Sequence, residues 1–252
     1  MIEVRPAADV RDTLLTFHAQ GRRAACTILD PWYNKGVGGV VDDYADFIVE
    51  TLALACRVSD HVFLWGFPEI LAPFVGAVPP GHSLNAWLTW YYKNNPSVIR
   101  GWRSAQNACL HFSAEGARLY PEHFLNKAQR QKKAEGKLRY MPGPASVIEA
   151  PLNIGFIGRS EQSGHPAQKP MLVFEPLIRM TTRPGDLVLD PMCGSGTTGT
   201  ICQVLKRDAV LCDSDARWVE ATGERLANGR IDHVLKKQLA ARYPDEDLHA
   251  TG

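Results

Sequence analysis

One stretch constrains this chain more than any other: DLVLDPMCGSGTTGTICQVLKRDAVLCDSD, residues 186–215. Two short apolar runs, DLVLD and AVLCD, flank a glycine-rich turn and the run GTTGTICQVLKR, so the local order is strand, turn, helix, strand. Parallel strands joined by a crossover helix commit a chain to an α/β architecture with helices packed on a sheet. Gly194, Gly196 and Gly199 spell GxGxxG directly after the first strand, and Asp213 follows about where a dinucleotide fold places its ribose-binding acid. No Lys-Ser or Lys-Thr follows the glycines, which excludes a Walker A loop.

The rest of the loop argues against a pyrophosphate. Asp190 and Pro191 stand between the strand and the glycines, where a carboxylate suits a cation better than a phosphate. S-adenosylmethionine has an ammonium, a sulfonium and an adenosine, and no phosphate. For such a ligand the glycines serve close backbone approach, and Asp213 serves the ribose hydroxyls. The unit also comes late in the chain, whereas a dinucleotide enzyme usually opens with it. A nicotinamide cofactor, or a tight turn with no ligand, stays open on these residues alone.

The first half of the chain extends the alternation. CTILD and HVFLWG read as strands, VDDYADFIVETLALACRV and FPEILAPFVGAV as helices, and the aromatic-rich LNAWLTWYYKN and NACLHFS as further strands joined by the basic turn NPSVIRGWRSAQ. Later, PMLVFEPLIRMT reads as a helix and ARWVEATGERLANGRIDHVLKKQLAAR as one or two, with the last eight or so residues frayed. With 252 residues, 45% of them hydrophobic and 22% charged, the expectation is one domain over 1–252. It is a Rossmann-like fold, a mostly parallel twisted sheet with helices on both faces. No apolar run reaches the roughly 18 residues of a membrane span, and the charged MIEVRPAADVRD lacks a signal-peptide core, so a cytoplasmic protein is expected. Six scattered cysteines without a CxxC pair read as reduced, buried thiols, with no metal site.

Periodicity lapses over 114–164, which reads as an inserted basic region. Between residues 114 and 140 seven basic side chains oppose Glu115, Glu122 and Glu135, a net +4 in a chain whose total is +1. Charge alone favours a solvated helix face there.

The remaining puzzle is TILDPWYNKG, residues 27–36, where an apolar run stops at Asp30 and Pro31, Trp32 and Tyr33 follow. DPWY resembles the Asp-Pro-Pro-Tyr tetrapeptide of the amino-methylating DNA methyltransferases of the permuted β group, in which the catalytic motif precedes the cofactor motif. HPAQKP (165–170) is similar to the segment that leads into their cofactor helix, and LDPMCGSGTT (189–198) to their cofactor loop. Three motifs in this order make the resemblance specific, and it spans the chain from about residue 4 to residue 228. WYYKNNP, NACLHFS and SVIEAP are similar to the family's connecting strands and the edge of its recognition region. Two departures stand out: Trp32 replaces the second proline, and QNACLHFS lacks a glutamate usual in that strand.

The resemblance implies circularly permuted motif order and methyl transfer from S-adenosylmethionine, with S-adenosylhomocysteine as product, to the exocyclic amine of a flipped base in double-stranded DNA. Asp30 would accept one amine N–H and the Pro31 carbonyl the other, with Tyr33, and Trp32 as a second wall or a plug, against the base. The cofactor would be held by Asp9, His165, Gln168, Lys169, Asp190, Pro191, Cys193, Gly194, Ser195, Gly196, Thr197, Thr198 and Asp213. Arg130, Lys132, Lys133, Lys137 and Arg139, in the target-recognition insert, become candidate phosphate contacts. Asp30 favours adenine N6 over cytosine N4, whose enzymes more often carry Ser there. The resemblance also implies a place in restriction-modification, at the nucleoid of a bacterial or phage-infected cell, and a short insert suits a homodimer sharing DNA contacts. RNA or protein-amide methyltransferases usually carry the reverse motif order, an oxidoreductase leaves DPWY without a role, and a DNA-binding protein without catalysis remains a further alternative.

Overall fold

A computed structural model describes residues 1–34, 39–95, 98–99 and 101–243. In chain order the elements are β1 (Ile2–Val4), α1 (Val10–Ala19), β2 (Ala24–Leu29), α2 (Tyr44–Val58), β3 (Ser59–Gly66), α3 (Pro68–Leu71), β4 (His82–Tyr91), β5 (Val98–Ile99) and β6 (Trp102–Arg103). There follow β7 (Gln106–Ala114), α4 (Lys127–Ala134), β8 (Val147–Glu149), α5 (Met171–Thr181), β9 (Leu187–Asp190), α6 (Thr197–Val204), β10 (Asp208–Leu211), α7 (Ala216–Asn228) and α8 (Arg230–Arg242). Eight strands form one sheet in the order β1-β10-β9-β2-β3-β7-β4-β8. Every strand but β7 runs in one direction; β7 is antiparallel to both of its neighbours.

Apolar side chains on both faces of the central strands explain why helices cover the sheet twice. Phe63 and Trp65 of β3 join one core with Phe174 and Ile178 of α5 and Leu235 of α8. Val62 and Leu64, pointing the other way, join a second core with Leu14 of α1 and Leu52 of α2. Gly199 completes this packing at α6, since a Cβ there would lie 2.5 Å from Leu211 of β10. The six cysteines are free and buried. Among the described residues, no helix is long and apolar enough to cross a membrane.

One expectation changes. FPEILAPFVGAV is not one helix: α3 lasts four residues and gives way to a 3-10 turn at Ala72–Gly76, because Pro73 has no N–H to continue the ladder. The run after residue 215, read as one or two helices, is two, broken at Gly229 with φ +61°. Within 114–164, β8 lies in SVIEAP and pairs parallel with β4, and α4 forms a helix with an Asn126–Gln129 capping box. The last eight or so residues, expected to fray, lie outside the described residues.

Candidate active site at the carboxyl edge of the sheet

β2 and β9 are neighbours, with Cys26 opposite Val188 and Thr27 opposite Leu189. Asp30 and Asp190 therefore leave the same carboxyl edge of the parallel strands, where open α/β sheets bind their ligands. Pro31, buried, turns the chain away immediately. The Asp30 carboxylate is 16% exposed and accepts at both oxygens from Lys169 Nζ, at 2.7 and 2.6 Å; the Lys169 side chain is 4% exposed. Burial would depress the Lys169 ammonium, but Asp30 and Tyr33 outweigh it and hold its pKa above the ordinary lysine range. The Lys169 carbonyl in turn accepts from Thr197 Oγ1 at 3.1 Å, in the first turn of α6. DPWY, HPAQKP and the glycine loop thus meet at one point.

Tyr33 sits 4.7 Å from the Phe67 ring and 5.3 Å from Lys169 Nζ, and its hydroxyl accepts from Asn107 Nδ2 at 3.1 Å. Burial pushes that hydroxyl's pKa up, so it stays a neutral donor and acceptor. Asn107, which is 4% exposed, stands in QNACLHFS one residue from the edge, and its Oδ1 is buried without a protein partner. Trp32 turns elsewhere. Its ring packs on α2 at 5.3 Å from Tyr44 and 5.1 Å from Phe47, and its carbonyl accepts from the Tyr44 hydroxyl at 2.6 Å. Its ring is thus directed toward α2 and away from the Tyr33–Lys169 contact.

The glycine loop is built from behind. Gly194 and Gly196 have φ of +46° and +74°, and a Cβ at either would come within 3.0 Å of His165 or 2.9 Å of Thr222, so glycine is required at both. Gly194 N–H donates to Asp213 Oδ2 at 2.9 Å, while Thr222 Oγ1 and Arg225 Nη1 donate to the carbonyls of Gly194 and Ser195 at 3.0 and 2.6 Å. His165 packs edge-on against Trp218 with centroids 4.4 Å apart. Asp9 caps α1 and stays exposed, next to Ala8, whose N–H donates to the Asp213 carbonyl at 3.0 Å. Asp9, His165 and Asp213 therefore border the loop.

Several side chains expected at the cofactor face inward instead. Asp190 is 2% exposed and accepts from Thr198 Oγ1 and the Met192 N–H, which ties the loop to the start of α6. The Cys193 thiol is buried beside Thr222, Ser195 and Thr197 bond each other at 3.1 Å, and Gln168 accepts from the Ser163 N–H and donates to the Glu161 carbonyl. Burial raises the Asp190 pKa from 3.8 to about 7. The folded state then holds a proton that the unfolded state has lost, so stability falls as pH rises from about 4 to about 7. Asp190→Asn should flatten that slope, measured by urea unfolding across the window; an unchanged slope would place its source elsewhere.

The basic run is not at this edge. β7 ends at the amino edge of the parallel strands, where Ser113 pairs with His61 at the start of β3. The chain that follows stays there: the Arg118 carbonyl lies 3.1 Å from His61 Nε2, Tyr120 N–H donates to the Met180 carbonyl at the far end of α5, and Gly143 approaches Met180 and Pro121. Arg130, Lys132, Lys133, Lys137 and Arg139 are exposed, but their segment is anchored on the edge opposite Asp30. The basic run therefore does not adjoin the Asp30 end of the sheet. A cavity of about 410 Å³ also opens at that edge. Its Arg23, Arg118 and Arg183 are each paired, with Asp60, Glu122 and Asp186, so it has no free charge to present.

A mostly parallel sheet covered by helices on both faces, with a glycine turn ending the strand beside the one that ends at Asp30, is a Rossmann-like α/β fold. Residues 26–224 match the family model described as DNA methylase, of the N6/N4 group. The chain is 30% identical over 233 residues to the Type II methyltransferase M.HpaI of Haemophilus parainfluenzae, covering 83% of this chain and 72% of that one. Its fold is similar to the crystal structure of the M1.HpyAVI-SAM complex (TM-score 0.69, 19% identity, 90% of this chain and 99% of that one). It is similar also to PvuII DNA methyltransferase, cytosine-N4-specific (TM-score 0.61, 16% identity, 91% and 93%). The chain belongs to the N6/N4 DNA methylase family and is a DNA methyltransferase.

Proposed function

We propose that this enzyme moves a methyl group from S-adenosylmethionine to the N6 amine of an adenine turned out of duplex DNA. The observation that carries the reading is Asp30, a carboxylate at the end of β2 set one strand from the glycine turn at the end of β9. Residues 187–204 contain no Lys, Arg or His, and Asp213 and the exposed Asp9 border the turn. That donor set suits a cationic nucleoside without phosphates. The bound cofactor supplies an electrophilic methyl on a sulfonium.

The chain's own residues do the rest. An adenine amine is a poor nucleophile because its lone pair is delocalised into the ring. Asp30, accepting one N–H, and the Pro31 carbonyl, accepting the other, favour the pyramidal nitrogen and stabilise the charge that grows on it. A carboxylate offers about four acceptor sites, so Lys169 can hold Asp30 in place and leave it room for the amine. Tyr33, braced by Phe67 and Asn107, supplies a flat wall for the base, and stacking of this kind offsets part of the few kcal/mol spent in extrusion. Asp rather than Ser at position 30 favours adenine over cytosine N4. DNA from cells expressing the protein, read by a sequencing method that detects modified bases, is expected to show N6-methyladenine at one recurring site. N4-methylcytosine there would move the target base, and unmodified DNA would contradict the reading.

A further inference from the structure

The carboxyl edge also raises a hairpin. β4 runs parallel to β3, so its end at Tyr91 and the start of β7 at Gln106, which pair with each other, lie on the same edge as Asp30. Between them the chain leaves the sheet, and β5 and β6 pair antiparallel, Val98 with Arg103 and Ile99 with Trp102. The stem is fixed at several points. Tyr92 N–H donates to the Ala105 carbonyl and the Tyr92 hydroxyl to the Gln106 carbonyl, both at 2.9 Å. Asn95 donates to the Ser104 carbonyl at 3.0 Å, and Asn94 bonds the Leu152 backbone in both directions at 2.9 and 2.8 Å.

On this stem Trp102 is 82% exposed, more than any other tryptophan described. Arg103 beside it is exposed too. The sequence 92–105 has Lys93, Arg100 and Arg103 and no acid, and Lys93 pairs with Glu149 at 2.6 Å. A braced β-ribbon with a bare indole and the exposed Arg103 beside it has the chemistry to meet stacked bases and a phosphate. We propose that Trp102 enters the duplex at the target pair and fills the stack that the extruded base leaves, with Arg103 on a flanking phosphate. The inference rests on the reading that the enzyme acts on a base turned out of a duplex. Trp102 is a positioning residue: it holds the base outside the helix and touches no reacting atom. Phe156, 89% exposed on the segment that Asn94 ties to the hairpin, is the rival for this place.

The test compares Trp102→Ala, Trp102→Phe and Phe156→Ala on two DNA substrates carrying the recognition site, one fully paired and one with the target base mispaired. Trp102→Ala should lose about tenfold or more in kcat/KM on the paired duplex, the size of a lost base-stacking contact. The loss should shrink to about two- or threefold where the target is already unpaired. Trp102→Phe should recover most of the activity on the paired duplex, and the thermal midpoint of all three variants should match the wild type. An equal loss on both substrates, no loss, or the same pattern carried by Phe156→Ala would overturn the proposal. Wild-type protein that methylates neither substrate would overturn the reading beneath it instead, so the two failures are distinct.

Discussion

Asp30→Asn should reduce methyl transfer by at least 10²–10³-fold, the scale expected when one transition-state acceptor loses its charge, and leave S-adenosylmethionine affinity within about threefold. Asparagine keeps the shape of the side chain and one acceptor oxygen, so the base and cofactor still bind. What disappears is the negative charge opposite the amine nitrogen as it becomes cationic. The effect therefore falls on kcat far more than on KM. Single-turnover transfer of labelled methyl, alongside calorimetric cofactor binding, checks both halves. Loss of cofactor binding would move Asp30 from the amine to the cofactor.

The second large effect is at Lys169. Lys169→Met leaves a buried carboxylate without its counter-ion, and breaking a buried pair this way costs about 3–5 kcal/mol. Asp30→Asn strands the ammonium and should cost a similar amount. The double variant Asp30→Asn/Lys169→Met removes both charges, so it should recover much of the lost stability and none of the activity. Urea unfolding of the two singles and the double measures this coupling; additive losses would show that the 2.6 Å pair contributes nothing. The Lys169 pKa is raised in the folded protein. Its share of stability is then fully present below the ordinary lysine pKa and is lost only as pH rises through the raised one. In activity, Lys169→Met should be slow wherever Asp30 is no longer held at the strand end.

Much of this site was legible in the sequence, for a definite reason. Apolar runs that stop at Asp, as at Asp30 and Asp190, mark strand ends, and two such runs near glycines or proline name their own edge of the sheet. That β2 and β9 are direct neighbours is decided by the sheet order. The partner of Asp30 was not legible. Lys169 is 139 residues away, and its place in HPAQKP suggested cofactor rather than carboxylate. Asn107 could have been found as the polar residue inside the apolar run NACLHFS, and Phe67 as the aromatic directly after a strand. Trp32 depended on α2, whose Tyr44 and Phe47 decide which way it turns.

The basic run shows the limit most clearly. Its charge marked it as solvated, but only the direction of β7 decides which edge it leaves from. Apolar alternation is the same in parallel and antiparallel strands, so LNAWLTWYYKN and NACLHFS gave no sign that β7 runs against its neighbours. The same reversal puts the hairpin of Trp102 on the catalytic edge and α4 on the other. One strand's polarity thus exchanges the two basic segments.

The central claim is that the Asp30 carboxylate drives methylation of a base's exocyclic amine, and identifying the methylated nucleoside tests it most directly. Duplex DNA labelled from S-adenosylmethionine by wild-type enzyme, and by Asp30→Asn at equal cofactor occupancy, is hydrolysed and the nucleosides separated. The account predicts label in N6-methyldeoxyadenosine from the wild type and none above background from the variant. Label in a ring-carbon product such as 5-methyldeoxycytidine, or equal label from both proteins, would contradict it.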